Sequence, residues 1–368
     1  MKQTKNLIRL FLAAVLLIVL GVACEGPEGP AGPEGPAGPP GGSYVNWEGF
    51  AEGIQCAQCH NPDIDTTYYV WARRTQWAIS KHANGGAYTE NSSTCAPCHT
   101  TEGFIQQDLG QPITEHAVSS PIGCFACHSP HSRADFSLRT TDPVPMLAGV
   151  VGQPDITFDY GNGNLCASCH KPRSISPKPD PTKTADTDTI TITNSRWYQH
   201  YGVQGLMLAG ENGFEFAGET YTNSYHTTAA AILADGCQLC HMAEAERNPA
   251  GGHTMWLEYE GTEIVTGCTT TGCHAAPMTL DYEDVQTDTE ALLDSLHTLL
   301  LIGKNGRPWI TASGSVNAST SNPLKIAPAY LAGAMYNYFY VEHDLSLGVH
   351  NTNYAQKLLE DSIAKLTE

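Results

Sequence analysis

The stretch Cys56-Ala57-Gln58-Cys59-His60 sets the pattern on which the rest of this chain is organised. The same C-x-x-C-H pattern returns at Cys95–His99, Cys124–His128, Cys166–His170 and Cys237–His241. A sixth copy, Cys268–His274, has four residues between its cysteines in place of two. Residues i, i+3 and i+4 of a helical turn share one face, so both thiols can bond one porphyrin while the histidine binds its iron. The pattern is the attachment signature of c-type haem and predicts six covalently attached haem c groups.

These motifs nominate two sets of residues. The thioether positions are Cys56, Cys59, Cys95, Cys98, Cys124, Cys127, Cys166, Cys169, Cys237, Cys240, Cys268 and Cys273. The proximal iron ligands are His60, His99, His128, His170, His241 and His274. In the sixth motif only the loop back to the first cysteine is longer, and its Gly272 can take backbone angles that other residues resist.

Zinc sites and disulfides are the alternatives for so many cysteines. Paired C-x-x-C units can build tetrahedral zinc sites, and cysteines of exported proteins often pair. Neither alternative requires a histidine directly after the second cysteine in all six copies, so haem is favoured. Of the 13 cysteines, only Cys24 lies outside the motifs.

The composition is acidic, with a net charge of −19 over 368 residues. Residues 1–23 contain Lys2, Lys5 and Arg9 and no acidic residue, so the remainder carries −22, which is −19 less those three positive charges. This charge argues against binding to nucleic acid or to anionic lipid. It favours cationic partners, metal ions or mineral surfaces, or it serves solubility alone.

Six haem groups would replace much of a side-chain core in a chain of this length. We therefore predict a mostly irregular fold, with short α-helices and loops wrapped around a chain of stacked c-type haems and with little β-structure. The hexahaem region spans 44–274, with a loop break near 171–195 that is rich in Pro, Thr and Asp. Residues 275–368 contain no motif and are predicted to be helices that pack on the last haems.

Three helices are predicted in this C-terminal region. Thr287 and Glu290 form a candidate capping box before a helix at Ala291–Leu301. A second helix covers Pro328–Tyr340. The third covers Asn353–Leu366, where four apolar residues share one helical face: Leu358, Leu359, Ile363 and Leu366.

Residues 1–23 are predicted to be an export signal, with an apolar run at Leu10–Val22. A membrane-spanning helix is the alternative, although the run is short for a span. The residues before Cys24 resemble a lipoprotein cleavage site, so Cys24 is predicted to carry lipid. Ordinary signal cleavage stays open because Gly21 occupies the position where a large aliphatic residue is usual.

Residues 24–43 combine this cysteine with a collagen-like run, Gly26–Gly41, in which glycine recurs at every third position. A stiff polyproline spacer of roughly 50 Å, at about 3.1 Å per residue, is one interpretation. A trimeric stalk is the other. Either would hold the haem region away from a membrane.

Nine histidines lie outside the motifs: His82, His116, His131, His200, His226, His253, His297, His343 and His350. This surplus favours a second histidine on each iron. Methionine is the alternative sixth ligand and would raise the reduction potential; the candidates are Met146, Met207, Met242, Met255, Met278 and Met335.

Several phrases around these histidines resemble the extracellular multihaem c-type cytochromes of metal-reducing bacteria, of the kind that assembles into conducting filaments. They span about 45–368 and are 80–83 (SKHA), 124–131 (CFACHSPH), 197–200 (WYQH), 208–213 (LAGENG), 223–226 (NSYH), 251–254 (GGHT) and 348–351 (GVHN). The resemblance implies that six histidines are the distal ligands: His82, His131, His200, His226, His253 and His350.

The chain departs from that family in two respects. It has Tyr201 after His200 where a histidine pair is expected, and a filament subunit is not expected to carry a spacer and a lipid anchor. His116, His297 and His343 stay unassigned, with His116 as the reserve ligand.

An iron with histidine on both sides has no free position for a substrate and passes electrons. We expect an exported electron-transfer protein at the cell surface, tethered to the outer membrane through Cys24 or extracellular. Its expected partners are other redox cytochromes and external electron acceptors, with a homo-oligomer or filament as a further possibility.

The enzymatic alternative is a reductase of nitrite, hydroxylamine or sulfur oxyanions with one open iron, for which the unusual sixth motif is the candidate.

Overall fold

The structure is a computed structural model that describes residues 51–52, 54–244, 251–269 and 273–368. The predicted export signal, Cys24 and the collagen-like spacer lie outside the described residues. The described residues belong to one compact unit, Trp47–Glu368.

Short helices dominate the part of the chain that contains the motifs. Their bounds are Ala57–His60 (α1), Val70–Ala78 (α2), Lys81–Asn84 (α3), Ala96–His99 (α4), Thr101–Asp108 (α5), Cys124–Cys127 (α6), Pro130–Arg133 (α7), Gly163–Ala167 (α8), Gln204–Ala209 (α9), Ala230–Asp235 (α10), Cys237–His241 (α11) and Thr266–Thr269 (α12). Short 3-10 turns lie at Gly86–Thr89, Tyr225–Thr227, Gly252–Thr254, Tyr282–Asp284, Lys304–Gly306 and Ala329–Leu331.

Strands are few and short in the described residues. They form antiparallel pairs: β1 (Val144–Met146) with β2 (Ile156–Phe158), β3 (Ile190–Ile192) with β6 (Leu324–Ile326), and β4 (Glu258–Tyr259) with β5 (Thr262–Glu263). In the second pair Thr191 lies opposite Lys325, which joins the end of the loop break to the C-terminal region. The predicted fold class, loops and short helices with little β-structure, is confirmed.

Three longer helices form the C-terminal region: α13 (Val285–Ile302), α14 (Ala332–Asp344) and α15 (Thr352–Thr367). The apolar stripe predicted for the last of them is the face that packs, since Leu358 and Leu359 are fully buried there. The described part of the chain contains no helix with the length and apolar character that a membrane crossing requires.

The predicted capping box at Thr287 is wrong, because α13 begins at Val285 and Thr287 lies inside its first turn. Asp281 supplies the oxygen atoms instead. Its Oδ1 accepts hydrogen bonds from the backbone N–H groups of Gln286 at 2.7 Å and Thr287 at 3.1 Å. An acidic side chain at a helix start also interacts favourably with the helix dipole.

The main hydrophobic core lies between the C-terminal helices and residues 144–232. Trp197, Phe214 and Leu206 pack there with Leu296, Tyr336 and the buried face of α15. Three of the methionines that the sequence offers as alternative ligands, Met146, Met207 and Met335, are fully buried in this core and pack there.

A second core is much smaller and lies among the motif helices. It contains Phe104, Ala126 and Leu165, with Cys127 and Cys169 at its edge. With so few buried side chains, this region needs interactions beyond side-chain packing to become ordered.

Candidate haem-binding sites

Each described motif folds into a tight turn that brings its histidine back over its first cysteine. The backbone N–H of His60 donates to the carbonyl of Cys56 at 2.8 Å, and His128 and His170 make the same bond to Cys124 and Cys166 at 2.9 Å. Such an i to i+4 bond is that of one α-helical turn. It holds the residue types that haem attachment needs on one face.

The sixth motif makes the equivalent bond in spite of its longer spacing. The N–H of His274 donates to the carbonyl of Cys268 at 3.1 Å. Residues 270–272 of this motif lie outside the described residues. The two ends of this motif are thus joined as they are in the regular copies.

Each motif histidine lies opposite a histidine from outside the motifs. The ring centroids are 6.0–6.3 Å apart in the pairs His60–His131, His99–His200, His128–His253, His170–His82, His241–His350 and His274–His226. We number these pairs as sites 1 to 6, after the motif that each contains. The partners are the six histidines that the family resemblance nominates as distal ligands.

The separation of the two rings fits a metal ion held between them. Two metal–imidazole bonds of about 2.0–2.1 Å each account for about 4 Å, and the remainder is the distance from each nitrogen to its ring centre. Within the described ranges, no group of three or more His, Cys, Asp or Glu side chains could hold a metal ion by itself. Two imidazoles that can bind iron, beside two thiols that can bond the porphyrin, are the groups that c-type haem needs, and all twelve described cysteines are free.

Local structure turns each partner histidine towards its site. Ser80 caps α3, where its Oγ accepts from Ala83 N at 3.2 Å, and so places His82 in the first helical turn. Pro130 opens α7, a position that proline favours, and His131 follows it. His200 takes a left-handed φ of 68°, a conformation that costs of order 1–3 kcal/mol and often marks a functional position.

Burial keeps many of these imidazoles neutral, which is the form that binds metal. Burial lowers the pKa of His82, His241 and His253 to about 4. It also lowers the pKa of His128, His170, His200 and His226. His350 differs: burial opposes its charged form, but the Asp344 carboxylate more than offsets burial and raises its pKa.

The second ring nitrogen, Nδ1, has an identified oxygen partner in several sites. His226 contacts Val349 O at 2.8 Å, His128 contacts Ser137 O at 3.3 Å and His241 contacts Met255 O at 3.3 Å. His170 contacts the side-chain amide of Gln204, and His350 contacts the carboxylate of Asp344. Such outer partners orient a ligating ring and raise its basicity.

Gln204 and Asp344 carry no sequence signal for this role. Gln204 reaches His170 from 34 residues away, with its Oε1 at 3.2 Å from the ring, while its Nε2 donates to the carbonyl of His343 at 2.9 Å. Asp344 lies six residues before its histidine, across the turn that follows α14. Neither spacing matches a recognised motif, so sequence reasoning misses both residues.

Contacts between cysteines of different motifs give the order of the sites. The side chains of Cys98 and Cys169 lie close enough for their charges to interact, which joins sites 2 and 4. The same holds for Cys166 with Cys237, and for Cys240 with Cys268. These contacts place sites 4, 5 and 6 in succession.

Site 3 joins the succession from the other side. Its Cys127 lies close enough to Cys166 and Cys169 for their charges to interact. His128 of site 3 and His131 of site 1 are three residues apart. The described contacts therefore run through sites 1, 3, 4, 5 and 6, and site 2 branches from site 4.

A close backbone approach makes the contact between sites 4 and 5. A Cβ atom at Gly163 would lie 2.8 Å from the Cα of Gly236, where no side chain fits. Gly163 opens α8 and Gly236 immediately precedes α11. The two glycines let the motif helices of sites 4 and 5 meet.

The three unassigned histidines lie in other surroundings. His297 stacks on Tyr338 with ring centroids 5.7 Å apart. His343 is buried, with the rings of Tyr198 and Tyr201 at 4.6 and 4.4 Å. His116 Nε2 lies 3.4 Å from Gln106 Nε2. The structure thus gives no described pairing of these residues with a motif histidine.

Comparisons with known proteins find relatives that are named as c-type cytochromes with several haems. No family model matches the chain. The C-type polyheme cytochrome OmcC of Geobacter sulfurreducens is 24% identical over 340 residues, which cover 75% of this chain and 43% of the relative. The C-type polyheme cytochrome OmcB of the same species is 24% identical over 368 residues, which cover 87% of this chain and 45% of the relative. The chain thus spans less than half the length of either relative.

Among solved structures, the outer cell wall cytochrome OcwA aligns with a TM-score of 0.43 and 17% identity, over 80% of this chain and 50% of the other. The predicted resemblance is supported at the level of multihaem c-type cytochromes, and the filament-forming kind stays a prediction. Over most of its length, this chain is similar to C-type polyheme cytochromes.

Proposed function

We propose that this chain is an exported electron-transfer cytochrome with six haem c groups, each held between two histidines. The observation that carries the proposal is the set of six histidine pairs, each of which joins a motif histidine to one from outside the motifs. When bound, haem c supplies a one-electron iron couple. The two imidazoles of each pair would hold the iron, which would leave no coordination position for a substrate.

The order of the sites supports a role as a conductor. Thiol contacts join sites 4, 5 and 6 and attach site 2 to site 4, which keeps neighbouring sites within contact distance. Site 1 forms one end, where the motif residues Cys56 and His60 are exposed. This arrangement suits entry and exit of electrons at different parts of the surface.

The proposed location and partners rest on features of the sequence. We propose export, a lipid on Cys24 and a place at the cell surface, with other redox cytochromes and external acceptors as partners. Filament assembly belongs to the same proposal as an alternative to tethering. The acidic charge of −19 makes nucleic acid an unsuitable partner.

A reductase with an open iron at the sixth motif is not favoured by the geometry. His226 lies opposite His274 with ring centroids 6.0 Å apart, and His274 keeps the backbone bond to Cys268. A substrate at that iron would have to displace His226, whose Nδ1 is held at 2.8 Å from Val349 O.

The experiment that tests the proposal is a haem count joined to low-temperature EPR of the oxidised protein. Denaturing haem analysis should give six haems per chain, and EPR should give only low-spin ferric signals, because strong imidazole ligands lie on both sides. A substantial high-spin signal, or uptake of carbon monoxide by the reduced native protein, would refute closed coordination at all six irons.

A further inference from the structure

The side chain of Asp344 differs from the other outer partners of the paired histidines. Its Oδ1 lies 2.7 Å from His350 Nδ1, and Asp344 is 2% exposed. The corresponding partners of His128, His226 and His241 are backbone carbonyls, and that of His170 is a neutral amide. Site 5 therefore combines a buried negative charge with a short hydrogen bond.

A carboxylate that accepts from Nδ1 shifts electron density towards the metal-binding nitrogen of the same ring. A more basic ligand stabilises the ferric state over the ferrous state and so lowers the reduction potential. Burial strengthens the effect, since a charge in low dielectric acts on its neighbours with little screening. A neutral carbonyl oxygen does the same to a smaller extent.

We propose that Asp344 is a positioning residue that lowers the reduction potential of site 5 below that of an otherwise equal site with a neutral partner. The inference rests on the proposed haem binding. Because site 5 lies between sites 4 and 6 in the order of contacts, Asp344 would set the energy of an intermediate step between them.

Ser346 limits this effect. Its Oγ donates a short hydrogen bond to Asp344 Oδ2, the oxygen that His350 does not use. That bond draws charge away from the carboxylate and weakens it as an acceptor for His350. Asp344 and Ser346 therefore act on site 5 in opposite directions, and their substitutions should shift its potential with opposite signs.

The test is a spectroelectrochemical titration of the haem-loaded full chain, of three variants and of one control variant. Asp344→Asn keeps the shape and the acceptor oxygen but removes the charge, so one of the six components should shift upwards. We expect at least a tenfold change in its one-electron equilibrium constant, which is about 59 mV. Ser346→Ala should shift the same component downwards. His350→Ala identifies that component, because site 5 then becomes high-spin.

Asp361→Asn is the matched control, since Asp361 is also a buried aspartate of the C-terminal region and pairs with Lys357 at 2.7 Å. It should leave all six components unchanged. The proposal is overturned if Asp344→Asn moves no component more than the control does, or if it moves all six together. If Asp344→Asn fails to retain haem, Ser346→Ala decides: a downward shift supports the proposal, and no shift or an upward shift refutes it.

Failure of the proposed function would look different. A wild-type protein with fewer than six haems or with high-spin iron refutes the haem assignment before any potential is compared. Six low-spin haems whose potentials are unchanged in both Asp344→Asn and Ser346→Ala refute the role of Asp344 alone.

Discussion

At the residue scale, the two histidines of each pair come from different kinds of sequence signal. The motif histidine is fixed by its cysteines, while its partner lies outside the motifs, in a short helix, a 3-10 turn or a loop. His82 and His170, for example, are 88 positions apart and yet face each other at 6.3 Å. The chain therefore builds each site from one local and one distant element.

Replacement of one partner histidine should open a single site. In His82→Ala the ring opposite His170 is lost, so we expect one of six haems to become high-spin and to bind carbon monoxide when reduced. Optical titration with carbon monoxide measures the fraction of haems that bind it. His116→Ala serves as the control, because His116 contacts Gln106 and not a motif histidine among its described contacts.

Equal uptake of carbon monoxide by both variants would contradict the pairing. Uptake by the His116 variant alone would make His116 a ligand and His82 a spare histidine.

The sequence predicts the residues of the sites better than it predicts their surroundings. The C-x-x-C-H pattern identifies the motif residues from spacing alone, and short family-like phrases identify the partner histidines. Gln204 and Asp344 act through contacts that depend on the folded path of the chain, so no local pattern marks them. Three methionines that could have been ligands are instead core residues, which only burial reveals.

At the element scale, sites 4 and 5 depend on the close approach of α8 and α11. Gly163 has an ordinary backbone conformation, so the cost of Gly163→Ala is steric, from a Cβ atom 2.8 Å from Gly236 Cα. We expect destabilisation by about 1–3 kcal/mol, measured by denaturant unfolding, and a weaker interaction between two haem components in the redox titration.

Gly86→Ala is the control for this substitution, because a Cβ atom there meets nothing within 4 Å. If both variants unfold at the same denaturant concentration as the wild type, the contact between α8 and α11 is not tight in solution.

The start of α13 should depend on pH. Hydrogen bonds from the side chain and backbone of Thr287, and from Gln286, lower the pKa of Asp281 below its ordinary value of 3.8. A carboxyl group with a lower pKa in the folded state stabilises the fold above its unfolded pKa, and the contribution is lost as the pH falls through the folded pKa. Asp281→Asn should therefore lower the melting temperature at pH 7 and have little effect near pH 2.

Thermal unfolding at several pH values between 7 and 2 measures this difference. Asp294→Asn, an exposed position in the middle of the same helix, provides the control and should show no such pH dependence. A constant difference between wild type and Asp281→Asn at every pH would rule out the carboxylate as the cap.

Helices with a strong apolar stripe were predictable, and helix starts were less so. The stripe of Leu358 and Leu359 predicts α15 to within one or two residues at each end. For α13 the predicted range, Ala291–Leu301, lies inside the helix but begins six residues after its actual start at Val285. Asp281 caps that helix from four positions before it, a distance that a simple capping pattern does not include.

At the scale of the whole molecule, side-chain packing is unevenly distributed. Before Val144, the buried hydrophobic side chains of the described residues are Ala96, Phe104 and Ala126. The cluster around α13, α14 and α15 contains most of the remainder. Ordering one residue costs about 1–2 kcal/mol, so three buried side chains cannot order more than ninety residues.

A chain that is made without haem should therefore fold in part. We expect residues 144–368 to keep a protease-resistant core, while residues 51–143 are cleaved rapidly. Limited proteolysis with mass spectrometry compares this chain with the haem-loaded protein, which should resist cleavage in both parts. Equal resistance of both parts in the haem-free chain would show that haem is not needed for order there.

The order of the sites was not predictable from the sequence. Motifs that follow one another along the chain are not always neighbours, since Phe125 of the third motif packs on His131 of site 1, and Cys98 of site 2 lies close to Cys169 of site 4. Cys98 and Cys169, for example, are 71 positions apart along the chain and yet lie close together. Spacing within a motif carries no information about them.

The pairing of His241 with His350 has a consequence for how the protein is made. On the proposed export, the chain crosses the membrane from its amino terminus, so a site can be closed only after its later histidine has crossed. The later histidines of sites 1, 4, 2, 3 and 6 all lie at or before His274, so these sites can close first, and site 5 is left for the end. A chain that stops before residue 350 would lack one of the two histidines of site 5, which lies between sites 4 and 6. The path for electrons would then be interrupted at that site although every attachment motif was present.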